Sequence, residues 1–380
     1  MSPSRRTLHV SIAAGVAVAV AGTSAAVYAA APHIDDWPYA DHGSGPSHAK
    51  PVTLAAVGDV ACEPDDPENS GTPAALKCGS PDLGGQSAAY ATADEVEAMR
   101  PNLVALLGDE QYEVGKLSDF QQSFDKTYGA FKFLQRPAPG NHEYYPYTKK
   151  GDNEAGQNGN GYFSYYNGTD ANGAIRPQGQ AGDDTDSTQG WYSYELGKWH
   201  VISLNAECDS AAFGNNCNPD HGLLDAETTW LQSDLDADHQ PCTIAYWHQP
   251  TFSATDSPST EGGAADAWWK LLYAHGHAVV LNGHEHLYAR FQPMNPAGEV
   301  DTQHGIPEFI IGSGGEALDE LAPQADLDKA HVVTGEDDAY GAMKLTLGDG
   351  RYSWDFEPAK AAPGAPASAM DYSDTGSARC

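Results

Sequence analysis

Short apolar runs set off by polar, glycine-bearing segments give this chain its rhythm. Residues 52–57 (VTLAAV) form one run, ending at Gly58-Asp59, and residues 103–107 (LVALL) form another, ending at Gly108-Asp109. Runs this short predict strands rather than buried helices. Between them an alanine-rich segment over 86–99, stopped by Pro101, predicts a helix, and the order strand, helix, strand predicts a parallel βαβ unit. The same reading places strands at 199–204, 243–247, 278–281 and 309–311, and helices at 225–235 and 264–274, the second closed by Gly276. Residues 343–347 and 352–356, joined by Gly348-Asp349-Gly350, predict a β-hairpin. Phe120, Phe124 and Phe131 recur at helical spacing and read as core. Residues 151–190, dense in Gly, Asn, Asp and Gln, predict a long loop region with Tyr162 to Tyr166 embedded in it. No internal repeat is visible. The pattern predicts a polar linker over 32–50, one domain over 51–358, and a low-complexity Ala, Pro and Ser tail over 359–380.

Composition narrows the partners. Hydrophobic residues make up 40% of the 380, enough for a sizeable core. Acidic residues outnumber basic ones 53 to 20, and the formal charge of −33 repels polyanions. Long nucleic acid is therefore not expected as a partner, whereas a local cationic site can still take a small phosphate. Residues 1–31 combine a basic start, an apolar run and the small residues Ala29 and Ala31, the form of an export signal. Ser4-Arg5-Arg6 before Leu8 resembles a twin-arginine signal; an ordinary secretory signal is the other reading. The run is too poor in Leu and Ile for a retained anchor, so a secreted product with no stable membrane insertion is expected. Six cysteines in an exported chain predict disulfides. Spacing suggests Cys62 with Cys78 and Cys208 with Cys217, leaving Cys242 for Cys380, although all fifteen pairings stay formally open. None stands in a CxxC pattern.

Candidate chemistry recurs at one structural position. Asp59, Asp109, Asn141, His248 and the pair His284/His286 each stand just past an apolar run or expected strand end. In parallel α/β sheets such ends converge on one crevice. Each signal alone is weak, because Gly-Asp is often a turn and a lone histidine is often structural. Together, carboxylate, amide oxygen, phenolate and imidazole suit a first-row metal.

The blocks GDVA (Asp59), GDEQY (Asp109, Tyr112), GNHE (Asn141, His142), AYWHQP (His248) and GHEHLYAR (His284, His286) resemble, in order and completeness, those of calcineurin-like metallophosphoesterases. The resemblance runs from about Thr53 to Pro358 and is closest to the purple acid phosphatase branch. Tyr112 after Gly108-Asp109 points to that branch, as does Val60-Ala61 where many relatives have Asp-x-His. The resemblance implies an α/β fold: a four-layer α/β/β/α sandwich of two mixed sheets flanked by helices. It also implies two metal ions. Asp59, Asp109, Tyr112 and His286 would hold Fe(III), and Asp109, Asn141, His248 and His284 a divalent ion such as Zn, Fe or Mn. His142 would be the general acid, and a metal-activated hydroxide the nucleophile.

Two departures stand out. Gln249 replaces a histidine that often follows His248 in relatives and helps bind substrate, and no β-sandwich domain precedes Pro51, so a stand-alone catalytic domain is expected. Arg290 reads as a phosphate contact or a surface ion pair, and Tyr288 as packing. The expected activity is hydrolysis of small phosphate monoesters. Diester hydrolysis at the same site is the alternative, and a non-catalytic binding protein would have lost a ligand or His142.

Overall fold

The computed structural model describes residues 50–64, 87–145, 159–183, 189–208, 210, 222–256, 264–359 and 371–380. The expected signal, nearly all of the linker, Cys78 and Cys217 lie outside the described residues.

Strands β1 (Val52–Val57), β2 (Leu103–Leu107) and β3 (Gln135–Ala138) lead the chain, followed by the two-residue pair β4 (Gln178–Gly179) and β5 (Gly182–Asp183). Then come β6 (Tyr192–Leu196), β7 (Trp199–Ser203), β8 (Cys242–Tyr246), β9 (Ala278–Asn282), β10 (Tyr288–Phe291), β11 (Glu308–Ile311) and β12 (Val332–Glu336). The last three are β13 (Gly341–Gly348), β14 (Arg351–Pro358) and β15 (Asp374–Arg379). One mixed sheet has the order β15-β14-β13-β1-β2-β3 and the other β12-β10-β11-β9-β8-β7-β6. β1, β2 and β3 run parallel, as do β7, β8, β9 and β11.

The sheets pack face to face. Leu54, Ala56, Leu103, Ala105 and Leu107 of the first meet Val201, Ile244, Tyr246, Val279 and Leu281 of the second in one buried cluster. Alternate residues point the other way. Ile202, Ala245 and Val280 pack on the helices Gly222–Ala237 and Ala264–His275 through Leu231, Leu235, Trp268 and Leu272. The helix Ala88–Met99, N-capped by Ser87, covers the first sheet over β13. These are the four layers α/β/β/α, and β1, β2, β8 and β9 read as predominantly apolar runs because both their faces are covered.

The structure adds β4, β5, β6, β10 and β12 to the expected strands, and three further differences have an identifiable cause. β3 is hidden by Pro137, which is tolerated because β3 is an edge strand. Residues 160–166 are a helix, Asn160–Tyr166, and not a loop. Their aromatic side chains supply the order, with Tyr165 stacked on Phe120 at 4.9 Å between centroids. The tail expected to be low-complexity ends in a strand: β15 pairs with all but the end of β14, from Arg351↔Arg379 to Phe356↔Asp374. Composition conceals β15 because its anchor is polar. Arg290 Nε and Nη2 donate to Asp374 Oδ2 and Oδ1 at 2.7 and 3.0 Å, and Tyr288 Oη and Trp354 Nε1 donate to Oδ2 at 2.7 and 3.2 Å. Arg290 is thus an ion pair turned away from any phosphate role, and Tyr288 packs in the inter-sheet core. A disulfide joins Cys242 to Cys380; Cys62 and Cys208 are also disulfide-bonded.

Asp374→Ala should lower stability by about 2–4 kcal/mol, since it leaves the Arg290 guanidinium and the Tyr288 hydroxyl without their acceptor. Burial would raise the Asp374 carboxyl, but Arg290 and Tyr288 outweigh it and hold it below the usual range. Its contribution is therefore complete above the unfolded value of about 3.9 and is lost as pH falls through the depressed folded value. Urea melts at pH 7 and pH 3 should show the gap between wild type and D374A closing in acid.

Candidate metal centre

The donors collect at the edge where β1, β2, β8 and β9 end and the segment after β3 begins. Asp59, Asp109 and His284 each follow a strand-end glycine and hold φ of 61°, 48° and 72°. Left-handed backbone is uncommon outside glycine and costs about 1 kcal/mol or more, and its recurrence at three candidate donors singles out this edge as the candidate site. The glycines are space for neighbouring donors. A Cβ on Gly140 would lie 2.2 Å from Asp109 Oδ1, and one on Gly108 would lie 2.4 Å from His248 Nδ1.

Two groups of donor atoms result. In the first, Tyr112 Oη lies 2.9 Å from Asp59 Oδ1, 3.2 Å from Asp109 Oδ2 and 3.0 Å from His286 Nε2. In the second, His248 Nε2 lies 3.0 Å from both Asn141 Oδ1 and Asp109 Oδ2, while His284 Nδ1 lies 3.0 Å from Asn141 Oδ1 and 3.1 Å from His248 Nε2. All seven donors expected from the sequence come together, and Asp109 Oδ2 belongs to both groups.

Hydrogen bonds behind the donors set their direction. His248 Nδ1 bonds Leu107 O at 2.8 Å and His286 Nδ1 bonds Ala317 O at 2.7 Å. A carbonyl only accepts, so both Nδ1 atoms carry protons and both Nε2 atoms face the cluster. The cluster calls for positive charge. Burial opposes an imidazolium at His248, yet the Asp109 carboxylate raises it to about 10. Burial and the neighbouring His248 together lower His284 to about 3. Burial, then Asp109 and Asp59, push the Tyr112 phenol well above its ordinary value, so ionising it requires a cation alongside. Carboxylates, amide oxygen, phenol and three imidazoles in two groups with a shared carboxylate fit a pair of metal ions.

His142 stands beside this set. Its backbone N–H donates to Asp109 Oδ1 at 2.8 Å, its Nδ1 bonds Glu113 O at 2.8 Å, and its Nε2 lies 3.9 Å from Asp109 Oδ2. His142, His284 and His286 are half-buried while Asp59, Asp109, Tyr112 and His248 are buried, so the centre opens on its imidazole side. Gln249 turns inward, its Nε2 donating to Glu207 Oε1 at 2.8 Å.

Three buried glutamates inside the quoted blocks, Glu110, Glu143 and Glu285, escaped the sequence reading. Glu143 Oε2 accepts from the backbone N–H of Asp109 and Gly140 at 3.0 and 2.8 Å, and Oε1 from Gln111 at 3.1 Å. Glu285 accepts from Ser253 Oγ and from Ala254 N. The signal was available: Glu285 stands between His284 and His286, and Glu143 follows Asn141-His142, in motifs whose neighbouring residues already supply the donors.

A calcineurin-like phosphoesterase family model matches residues 52–288, and the chain belongs to that family. An uncharacterized protein of Mycobacterium tuberculosis is 24% identical over 325 residues, covering 79% of this chain and 57% of that protein. Purple acid phosphatase 15 of Arabidopsis thaliana is 27% identical over 183 residues, covering 44% of this chain and 31% of that enzyme. The chain thus spans little more than half the length of the mycobacterial relative. Purple acid phosphatase PPD1 of yellow lupin (Lupinus luteus) shares the fold with a TM-score of 0.57 at 15% identity, over 86% of this chain and 54% of that one. Within the family, the similarity is to the purple acid phosphatases.

Glu143→Ala should loosen the Asp109 turn and weaken metal binding by about 10–100-fold, the usual effect of removing a group that orients a ligand. Metal titration of the variant, with circular dichroism to show an intact fold, measures this.

Proposed function

We propose that the chain hydrolyses phosphate monoesters at a dinuclear centre. The observation that supports this most is the sharing of Asp109 Oδ2 between the Tyr112 and His248 groups, since a common carboxylate is how one side chain serves two cations. Asp59, Asp109, Tyr112 and His286 would hold a ferric ion, because a phenolate donor favours that oxidation state, and Asp109, Asn141, His248 and His284 a divalent partner. Bound there, two cations supply Lewis acidity and charge neutralisation for phosphoryl transfer.

The chain's own residues do the rest. His142 is tethered through Nδ1 to Glu113 O and presents Nε2 beside the shared carboxylate, where an imidazolium can give its proton to a departing alkoxide. The half-buried imidazoles leave the mouth open to a small phosphorylated substrate. The disulfides, with the signal-like residues 1–31, support export to an oxidising compartment. Among the described residues no helix is long and apolar enough to cross a membrane.

Purified protein should be coloured, contain iron, and cleave an aryl phosphate monoester faster than the matching diester. A colourless iron-free protein would remove the ferric assignment, and diester cleavage without monoester cleavage would overturn the substrate class. Asp109→Ala should abolish both metal binding and turnover. His142→Ala should keep the metals and lower kcat by about 10²–10⁴-fold, the usual worth of a general acid.

A further inference from the structure

A second set of metal-type donors lies at the far end of β7, away from the strand-end centre. Glu195 on β6 and His200 on β7 are register partners across the hairpin, so their side chains stand together. Asp234 and Asp238, one helical turn apart at the end of the helix Gly222–Ala237, face the same place. His200 Nδ1 lies 2.9 Å from Glu195 Oε1, and Nε2 lies 2.7 Å from Asp234 Oδ2. Ser193 Oγ in turn donates to Asp234 Oδ1 at 2.8 Å. Glu195, His200 and Asp238 each offer a donor atom within 4.8 Å of the others.

Asp238 supplies the observation that points to a ligand. Its side chain is 1% exposed, its Oδ1 accepts from Gln240 N at 2.7 Å, and its Oδ2 has no hydrogen-bond partner. The nearest basic atom to that oxygen among the described ion pairs is His275 Nε2 at 3.5 Å. A buried carboxylate oxygen left so, beside two more carboxylates, is costly unless a cation joins it.

We propose that Glu195, His200 and Asp238 hold a divalent cation of the zinc type, with Asp234 as the carboxylate that orients His200 and His275 at the rim. One imidazole and two carboxylates are a borderline N/O donor set that suits zinc, and a histidine held through its other nitrogen by a carboxylate is the usual support of such a ligand. This site would be structural: it ties the β6–β7 hairpin to the ends of the two helices that cover the second sheet, independently of the strand-end centre. A proton on His200 is the rival occupant.

The full-length protein, incubated with Zn2+ and freed of excess by gel filtration, should retain about one metal equivalent more than E195Q/D238N, whatever the occupancy of the catalytic centre. Zn2+ should also raise the thermal midpoint of the wild type by more than that of the variant, whose strand-end centre is intact, while monoester turnover is equal in both. Should the double variant fail to fold, D238N alone gives the same comparison, because its amide oxygen can still accept from Gln240 N. Equal metal content in wild type and variant, or a Zn2+-induced midpoint shift of the same size in both, would overturn the proposal and leave the proton as the occupant.

Discussion

The carboxylate of Asp109 is held by His142, Tyr112 and His248, and the geometry of the centre follows from that restraint. Its Oδ1 accepts the His142 N–H, its Oδ2 lies between Tyr112 and His248, its own N–H is taken by Glu143, and Gly140 leaves it room. A carboxylate so fixed cannot rotate away from either group of donors. That restraint needs β2 to end where it does, in left-handed backbone, with β1 and β9 ending alongside it. The inter-sheet core is what keeps those strand ends in register.

Much of this was legible in the sequence, and for a physical reason. Strands covered on both faces must be apolar throughout, so β1, β2, β8 and β9 announce themselves, and polar residues just past them stand out. The donor set could therefore be found without coordinates. What stayed hidden is what polar contacts hold in place. β15, with the sequence DTGSAR, carries no hydrophobic pattern, and its position depends on Asp374 meeting Arg290, a residue 84 positions away. Glu143 and Glu285 were hidden differently: their motifs were visible, but an acid that accepts from backbone N–H groups looks in sequence like an acid that binds metal. The helix Asn160–Tyr166 lay in a stretch whose average composition is that of a loop, and only its aromatic residues carried the signal.

The two sites also differ in how they treat charge. At the strand ends, histidines and a phenol surround two carboxylates, with His284 and His286 towards the opening while the acids, Tyr112 and His248 stay buried. At the base of β7 the proportions are reversed, with three carboxylates around one imidazole. In a chain with 53 acidic and 20 basic residues, each such concentration of negative charge must be answered locally, and histidine answers it in both places.

The order of strands in the first sheet has a consequence for how the molecule is made. β1 lies between β2 and β13, and its register pairs Val52 with Leu347, residues at opposite ends of the domain. During synthesis β1 can pair with β2 early, but its other edge stays open until β13 has been made. Folding of this sheet is therefore completed late, by the β13–β14 hairpin and then by β15. A nascent chain stalled before β13 exposes one edge of its innermost strand, and that edge is where a chaperone would be needed or a misassembled dimer would begin.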